Sequence, residues 1–164
     1  MNGILEQVAP NEAILGANNV NVERIVVPVD LFEHSKKTAS YAIALGKSFG
    51  ASITFVHVFP GETIREFTTE DIHRRHELER DIAKDRLASF GEKMRQIYPR
   101  SETEFRIGDT AEQVHLVAFN LKANLIITAS YHPGFLGYLL RLEQARRIVT
   151  HAPCTVLVIH EPEE

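Results

Sequence analysis

The sequence is poor in the features that mark secreted and membrane-spanning proteins. It has one cysteine, Cys154, so an internal disulfide is impossible. Its apolar runs all fall short of the roughly 20 residues that a membrane span needs. Residues 1–16 lack the basic start and long apolar core of a secretory signal peptide. We therefore expect a cytoplasmic protein with no membrane segment.

An excess of basic residues is also missing. Lysine and arginine number 18 against 22 aspartates and glutamates, which gives a formal net charge of −4. This balance argues against a broad, non-specific grip on nucleic acid, so no nucleic-acid partner is expected. What the sequence does have is 164 residues with a hydrophobic fraction of 44%. Those values are typical of one domain with a sizeable core.

Strand and helix patterns alternate from residue 23 onward. The β-branched run RIVVPVD (Arg24–Asp30) predicts a strand buried on both faces. Further strands are predicted at Ser52–Pro60, Thr103–Gly108, Asn124–Ser130 and Thr155–His160, and helices at Lys36–Phe49, 69–98, Thr110–Leu121 and Tyr138–His151. This order predicts an α/β fold with a parallel sheet and helices on both faces.

Local signals mark several helix ends and faces. Ser35 and Asp109 are predicted helix N-caps, and Gly50 is a predicted helix stop. The helix at 69–98 carries a 4-3-4-3 apolar stripe that should be buried, formed by Ala83, Leu87, Phe90, Met94 and Ile97. Residues 1–22 show no strong period and read as an extension. Their apolar side chains could dock on a surface or a partner.

Three segments together resemble the universal stress protein family. They are RIVVPVDLFEHSKKTASYAIALGKSFGASITFVHV (24–58), RIGDTAEQVHLVAFNLKANLIITAS (106–130) and HAPCTVLVI (151–159), so the similarity covers roughly residues 23–160. The resemblance implies an open five-stranded, Rossmann-like sheet of the adenine nucleotide alpha hydrolase type, over a domain at 23–161. It also implies, for ligand-binding members, ATP at the carboxyl ends of the strands, which agrees with the general rule for open α/β sheets.

The resemblance places one end of a possible adenine nucleotide site at the first two strands. Asp30 matches the acid that contacts the ribose or adenine region, because a carboxylate accepts hydrogen bonds from ribose hydroxyls. Pro28 and Val29 would form the wall beside it, and Val58 matches a position whose backbone faces adenine. The alternative for Asp30 is a loop acid that stabilises the N-terminus of the following helix.

The phosphate end departs from the family pattern of Gly, two residues, Gly, nine residues, then Gly followed by Ser or Thr. The matching positions are Ala129, His132, Leu142 and Glu143, with Ser130 next to the first. Glycine at such positions lets backbone N–H groups approach phosphate closely. Glu143 replaces a hydroxyl donor by a group that has no proton to donate at neutral pH. Alternatively, Glu143 forms an ion pair with Arg146 or Arg147, while Gly134 and Gly137 could form a differently registered turn.

Other chemistry-bearing residues lack partners in the sequence. His73 and His76 share a helix with Glu77, but no third ligand is identifiable, so no metal site is predicted. His57 lies in a strand that looks buried and is interpreted as a satisfied core histidine. No catalytic residue is predicted, since G-x-S-x-G is absent and no general base is placed.

These observations lead to two main hypotheses of function. The first is a non-enzymatic, dimeric stress-response module whose degenerate site binds ATP weakly or not at all. The second is a regulator that still binds ATP or AMP against Asp30 and Val58. A nucleotide-hydrolysing enzyme ranks last. The resemblance also implies a homodimer through the last strand, Thr155–His160, although the N-terminal extension could cover that edge instead.

Overall fold

The described residues form five strands and four helices in alternation. The computed structural model describes residues 21–31, 35–61, 70–130 and 134–160, with side chains in 134–142 left out of the description. The strands are β1 (Arg24–Pro28), β2 (Ser52–Phe59), β3 (Ser101–Ile107), β4 (Leu125–Ser130) and β5 (Thr155–His160), and the helices are α1 (Ser35–Phe49), α2 (Glu70–Ile97), α3 (Thr110–Asn120) and α4 (Gly134–His151).

The strands form one parallel sheet in the order β3-β2-β1-β4-β5. β1 lies at the centre, and its neighbours are β2 on one side and β4 on the other. From β1 the chain adds β2 and β3 on one side of the sheet, and then returns to add β4 and β5 on the other side. The order of the strands therefore reverses between β1 and β4. This is the topological switch point, where open α/β sheets hold their ligands. The predicted five-stranded parallel sheet is confirmed.

Helices cover both faces of the sheet, as predicted. On one face, Ala42 and Ile43 of α1 and Leu87 of α2 pack with Ile25 of β1. On the other, Val114 of α3 packs with side chains of β1, β2 and β4 and with Ile148 of α4. Because consecutive residues of a strand point to opposite faces, a run of Ile and Val such as β1 is buried on both sides.

Two helix ends follow their local sequence signals. Gly50 follows α1 with φ +67°, the left-handed conformation that glycine adopts without steric strain. Asp109 caps α3, and its side chain accepts a hydrogen bond from the backbone N–H of Glu112 at 3.0 Å. Both predictions are confirmed.

Three sequence predictions about the elements were wrong in detail. Helix α4 begins at Gly134, four residues before the predicted Tyr138, so Gly134 and Gly137 lie inside the helix and not in a turn. Strand β3 begins at Ser101, two residues before Thr103, because its polar residues still pair with β2. Ile97 is 52% exposed, although it continues the apolar stripe of α2, because the helix ends there.

Candidate functional site

A pocket lies at the carboxyl ends of β1, β2 and β4, at the switch point of the sheet. Its volume is about 340 Å³, near the lower end of the range for small-molecule sites. The residues that line it are Pro28, Val29, Asp30, Ser35, Thr38, Val56, His57, Val58, Thr110, Thr128, Ala129, Gln144, Ala145 and Ile148. Five of the residues chosen from the sequence are among them: Pro28, Val29, Asp30, Val58 and Ala129.

Asp30 and Ser35 are held together across the turn from β1 to α1. The Ser35 hydroxyl donates to Oδ1 of Asp30 at 2.6 Å, and the Asp30 backbone N–H donates to the Ser35 hydroxyl at 3.1 Å. Next to Asp30, Leu31 has φ +64°, a left-handed conformation that is strained for a residue with a branched side chain. The hydrogen bonds with Ser35 therefore fix a carboxylate that lines the pocket and tie it to the start of α1.

His57 is a pocket residue that the sequence reading missed. Its Nδ1 lies 2.8 Å from the carbonyl oxygen of Val29, and its ring packs against Phe105. The contact with a carbonyl means that Nδ1 carries the proton, so in the neutral ring Nε2 is an acceptor. The interpretation as a satisfied core histidine holds only for Nδ1, because the side chain is half-buried and lines the pocket. Its position directly before Val58, near the end of β2, was the available signal.

Gln144 is a second residue that the sequence reading missed. It lies on α4 and lines the pocket, opposite the strands. Its Oε1 is buried and has no hydrogen-bond partner among the residues that the structure describes. A buried amide oxygen without a partner is unfavourable, so this atom offers an acceptor beside the pocket. Nothing in the one-dimensional pattern distinguishes Gln144 from an ordinary helix-surface residue.

Glu143 is engaged in an ion pair on the surface of α4. Its carboxylate accepts two hydrogen bonds from Arg146, at 2.7 and 3.0 Å, and the side chain is half exposed. Hydrogen bonds from Arg146 hold the pKa of the Glu143 carboxyl below its usual value. The alternative of a local pair, three residues apart, is confirmed. Glu143 is not among the described residues that line the pocket.

Arg147 is likewise committed to a carboxylate. Its guanidinium donates two hydrogen bonds to Asp109, at 2.7 and 2.9 Å, and so links α4 to the N-terminus of α3. This bidentate contact lowers the pKa of Asp109 and raises that of Arg147. Two of the three arginines closest in sequence to the expected phosphate end thus already bind carboxylates.

Ser130, like Glu143, is not among the described residues that line the pocket. The Ser130 hydroxyl lies 3.2 Å from Nδ1 of His160, its partner on β5. Ser130 is therefore placed beside the pocket, since its neighbour Ala129 lines it. His132 falls outside the described residues. Leu142 lies in α4, but its side chain is also outside the description.

The described residues hold no further candidate centre of chemistry. Among them, no group of three or more His, Cys, Asp and Glu side chains is placed to hold a metal ion. The ring of His76 packs against Phe59, with centroids 4.9 Å apart. Within the same described ranges, no helix has the length and apolar character needed to cross a membrane.

Comparison with known proteins gives the family. The family model described as "Universal stress protein family" matches residues 21–160. The chain belongs to the universal stress protein family. A universal stress protein from Thermus aquaticus is 28% identical over 138 residues, which are 82% of this chain and 96% of the relative. The universal stress protein G of Shigella flexneri is 29% identical over 140 residues, with the same shares covered.

Solved structures of universal stress proteins share the fold. The UspA protein from Lactobacillus plantarum superposes with a TM-score of 0.70 at 20% identity, over 85% of this chain and 98% of that one. A universal stress protein solved in complex with cAMP gives 0.65 at 12% identity, with the same coverage. One from Archaeoglobus fulgidus, solved in complex with dAMP, gives 0.56 at 19% identity, again over 85% and 98%.

Proposed function

We propose that this universal stress protein is a non-enzymatic stress-response module whose pocket binds adenine nucleotides weakly and gains little from the β- and γ-phosphates of ATP. The observation that carries the proposal is the charge arrangement at the start of α3 and in α4. Glu143 binds Arg146, and Asp109 binds Arg147. A triphosphate that extends beyond the pocket lining toward the start of α3 and α4 would meet two carboxylates and two guanidinium groups whose charges are already balanced.

A second candidate is a regulator that binds a mononucleotide such as AMP. The pocket supports it, because Asp30 and the ends of β1 and β2 line it. Two proteins with the same fold were solved with cAMP and dAMP, each of which carries a single phosphate. A nucleotide with one phosphate needs no contact with the region around Glu143. The two candidate functions therefore use the same pocket and differ in how tightly it binds the nucleotide.

Equilibrium binding separates these candidates. We expect isothermal titration calorimetry to show ATP binding no more tightly than AMP. Asp30→Ala should weaken AMP at least about tenfold, because one good hydrogen bond to a charged group contributes about 1.5–3 kcal/mol. Asp71→Ala, a carboxylate removed from the exposed first turn of α2, is the matched control and should change nothing.

Two outcomes would contradict the first candidate. ATP binding in the micromolar range that is much tighter than AMP binding, and that Asp30→Ala abolishes, would show a working triphosphate site. Phosphate release above a control without protein, lost in the same variant, would show an enzyme. Tight and selective AMP binding would favour the second candidate.

We also propose a two-fold homodimer through β5, in the cytoplasm. β5 lies at the edge of the sheet and its sequence TVLVIH carries no Asp, Glu, Lys or Arg, whereas the opposite edge strand β3 carries Glu102, Glu104 and Arg106. Charged side chains on an edge strand discourage pairing with another chain, so β5 is the better edge. The lone half-buried Cys154, whose thiol pKa is raised by burial, suits a reducing compartment.

A further inference from the structure

An apolar groove separates α1 from α2 on the outer surface of the molecule. Its volume is about 1040 Å³, and Ala39, Ile43, Phe90 and Met94 are among the side chains that line it. Ile82, at its wall, is 42% exposed. The described residues of this groove and those of the pocket at the switch point have none in common. An exposed apolar groove of this size is typical of a surface that another segment covers.

The charged side chains that line the groove are mostly basic. Lys36, Lys47, Arg86 and Lys93 stand against one carboxylate, Asp85. This excess of positive charge lies on a chain with a formal net charge of −4. The groove therefore favours an occupant that is apolar along one side and acidic elsewhere.

The N-terminal 20 residues have this chemistry. Their only charged side chains are Glu6 and Glu12, and they contain no lysine or arginine. Within them, residues 4–15 carry five large apolar side chains in two groups, Ile4, Leu5 and Val8, then Ile14 and Leu15. Residues 1–20 lie outside the described part of the chain, so the match is one of composition and charge.

The described chain begins close to one end of the groove. Val22 is buried in the same core as Ala42 and Ile43 of α1. The carbonyl of Glu23 accepts a hydrogen bond from the backbone N–H of Ser52, which follows α1 by three residues. The described chain therefore begins near the C-terminal end of α1, where Lys47 lines the groove.

The segment is long enough to fill the groove. Lys36 and Lys47 are eleven residues apart on α1, which corresponds to about 16 Å along the helix axis. Residues 16–20 alone span up to roughly 17 Å when extended. Residues 4–15 would measure about 18 Å as a helix, which matches the groove, with a break at Pro10.

We propose that residues 4–15 bind in the groove between α1 and α2 of their own chain. The apolar side chains cover its floor, and Glu6 and Glu12 lie near the basic rim. The N-terminal extension is then a part of the domain that covers exposed core, and it is separate from the nucleotide pocket.

Disulfide trapping in the full chain tests this contact. In a Cys154→Ala background, Gln7→Cys is combined either with Ala44→Cys, which lines the groove, or with Tyr41→Cys, which lies on the same helix outside it. Thermal melts first confirm that both variants fold. We expect an intramolecular disulfide at least about tenfold faster in the Ala44 variant, because docking raises the effective concentration of the two thiols.

Disulfide trapping also distinguishes other occupants of the groove and other binding places for residues 4–15. Equal rates for the Ala44 and Tyr41 variants would overturn the proposal. A disulfide between two chains would mean that a second copy fills the groove and would overturn docking within one chain. A faster reaction of Gln7→Cys with Val158→Cys on β5 would place the segment on the sheet edge, with the same consequence.

Charge reversal tests whether Glu6 and Glu12 lie near the basic side chains of the groove. Lys47→Glu with Lys93→Glu should slow trapping in the Ala44 variant about fivefold at low salt, and Glu6→Lys with Glu12→Lys should restore it. Lys37→Glu with Arg75→Glu is the matched control, since both residues are exposed on the same two helices but do not line the groove. An unchanged rate after reversal of Lys47 and Lys93 would overturn the placement of Glu6 and Glu12.

Discussion

At the scale of single residues, the pairing of Glu143 matters more than its identity. The sequence places a carboxylate where a hydroxyl donor is expected, and the structure shows that Arg146 holds it on the helix surface. The half-exposed pair keeps the carboxylate ionised, so it provides no proton for a phosphate oxygen. The position therefore lacks a hydrogen-bond donor for phosphate. The ion pair also occupies Arg146, which could otherwise donate to a phosphate oxygen.

Replacing the Glu143 carboxylate should strengthen the binding of ATP relative to that of AMP. Glu143→Ser removes a negative charge, introduces a hydroxyl donor and releases Arg146. We expect the ratio of ATP to AMP affinity, measured by calorimetry, to rise about tenfold, because in the proposed site only the distal phosphates would reach this region. Glu92→Ser is the matched control, because Glu92 and Arg95 form an equivalent pair three residues apart on α2. A rise in both variants, or in neither, would contradict this account.

At the scale of elements, one ion pair joins two helices on the same face of the sheet. Asp109 caps α3 and at the same time binds Arg147 of α4 through two hydrogen bonds. The pair is more than a third exposed, so water and salt weaken it. Its effect on stability comes from the cap and the charge together.

The depressed pKa of Asp109 gives this pair a signature in pH. Because the folded-state pKa is lowered, its contribution is fully present above the unfolded value of about 3.9 and is lost as the pH falls through the folded-state pKa. Asp109→Asn keeps a capping side chain but removes the charge. We expect it to lower the free energy of unfolding by about 1 kcal/mol at neutral pH, as measured by urea denaturation.

The same difference should shrink below about pH 4, where the unfolded wild-type chain takes up a proton at Asp109 while the folded protein still resists protonation. Urea unfolding of both proteins between about pH 7 and pH 3 gives this dependence. A difference that stays constant over the whole range would show that the charge on Asp109 contributes nothing to stability.

Helix α2 packs on β3 through a glycine. A Cβ built at Gly91 would lie 2.8 Å from Cγ2 and 3.0 Å from Oγ1 of Thr103, so both branches of that side chain are in the way. We expect Gly91→Ala to lower the free energy of unfolding by about 1–2 kcal/mol in urea denaturation, despite the better helix propensity of alanine.

A double-mutant cycle identifies the cause of that loss. In a Thr103→Ala background the obstruction is gone, so Gly91→Ala should be neutral or stabilising by up to about 1 kcal/mol. Equal destabilisation in both backgrounds would mean that the glycine is needed for another reason than its contact with Thr103.

At the scale of the whole molecule, the two edges of the sheet differ. β5 presents Val158, which is 40% exposed, and β3 ends at Ile107, which is 47% exposed. If the chain dimerises through β5, Val158→Lys should yield a monomer in sedimentation-velocity experiments, because a charge on an edge strand opposes pairing. Ile107→Lys is the matched control and should leave the dimer intact. A dimer that survives Val158→Lys and is lost in Ile107→Lys would show that the interface lies at β3 and not at β5.

Periodicity and residue type determined the order of the elements and the type of sheet. Buried Ile and Val runs, the cap at Asp109 and the stop at Gly50 are local signals that sequence alone provides. The tertiary structure decided which side chains meet. His57 and Gln144 are remote in sequence from Asp30. Only the pairing of β1 with β2 and β4 and the packing of α4 bring them to one pocket. Long-range contacts such as Asp109 with Arg147 depend on how helices pack on a sheet, which no local pattern records.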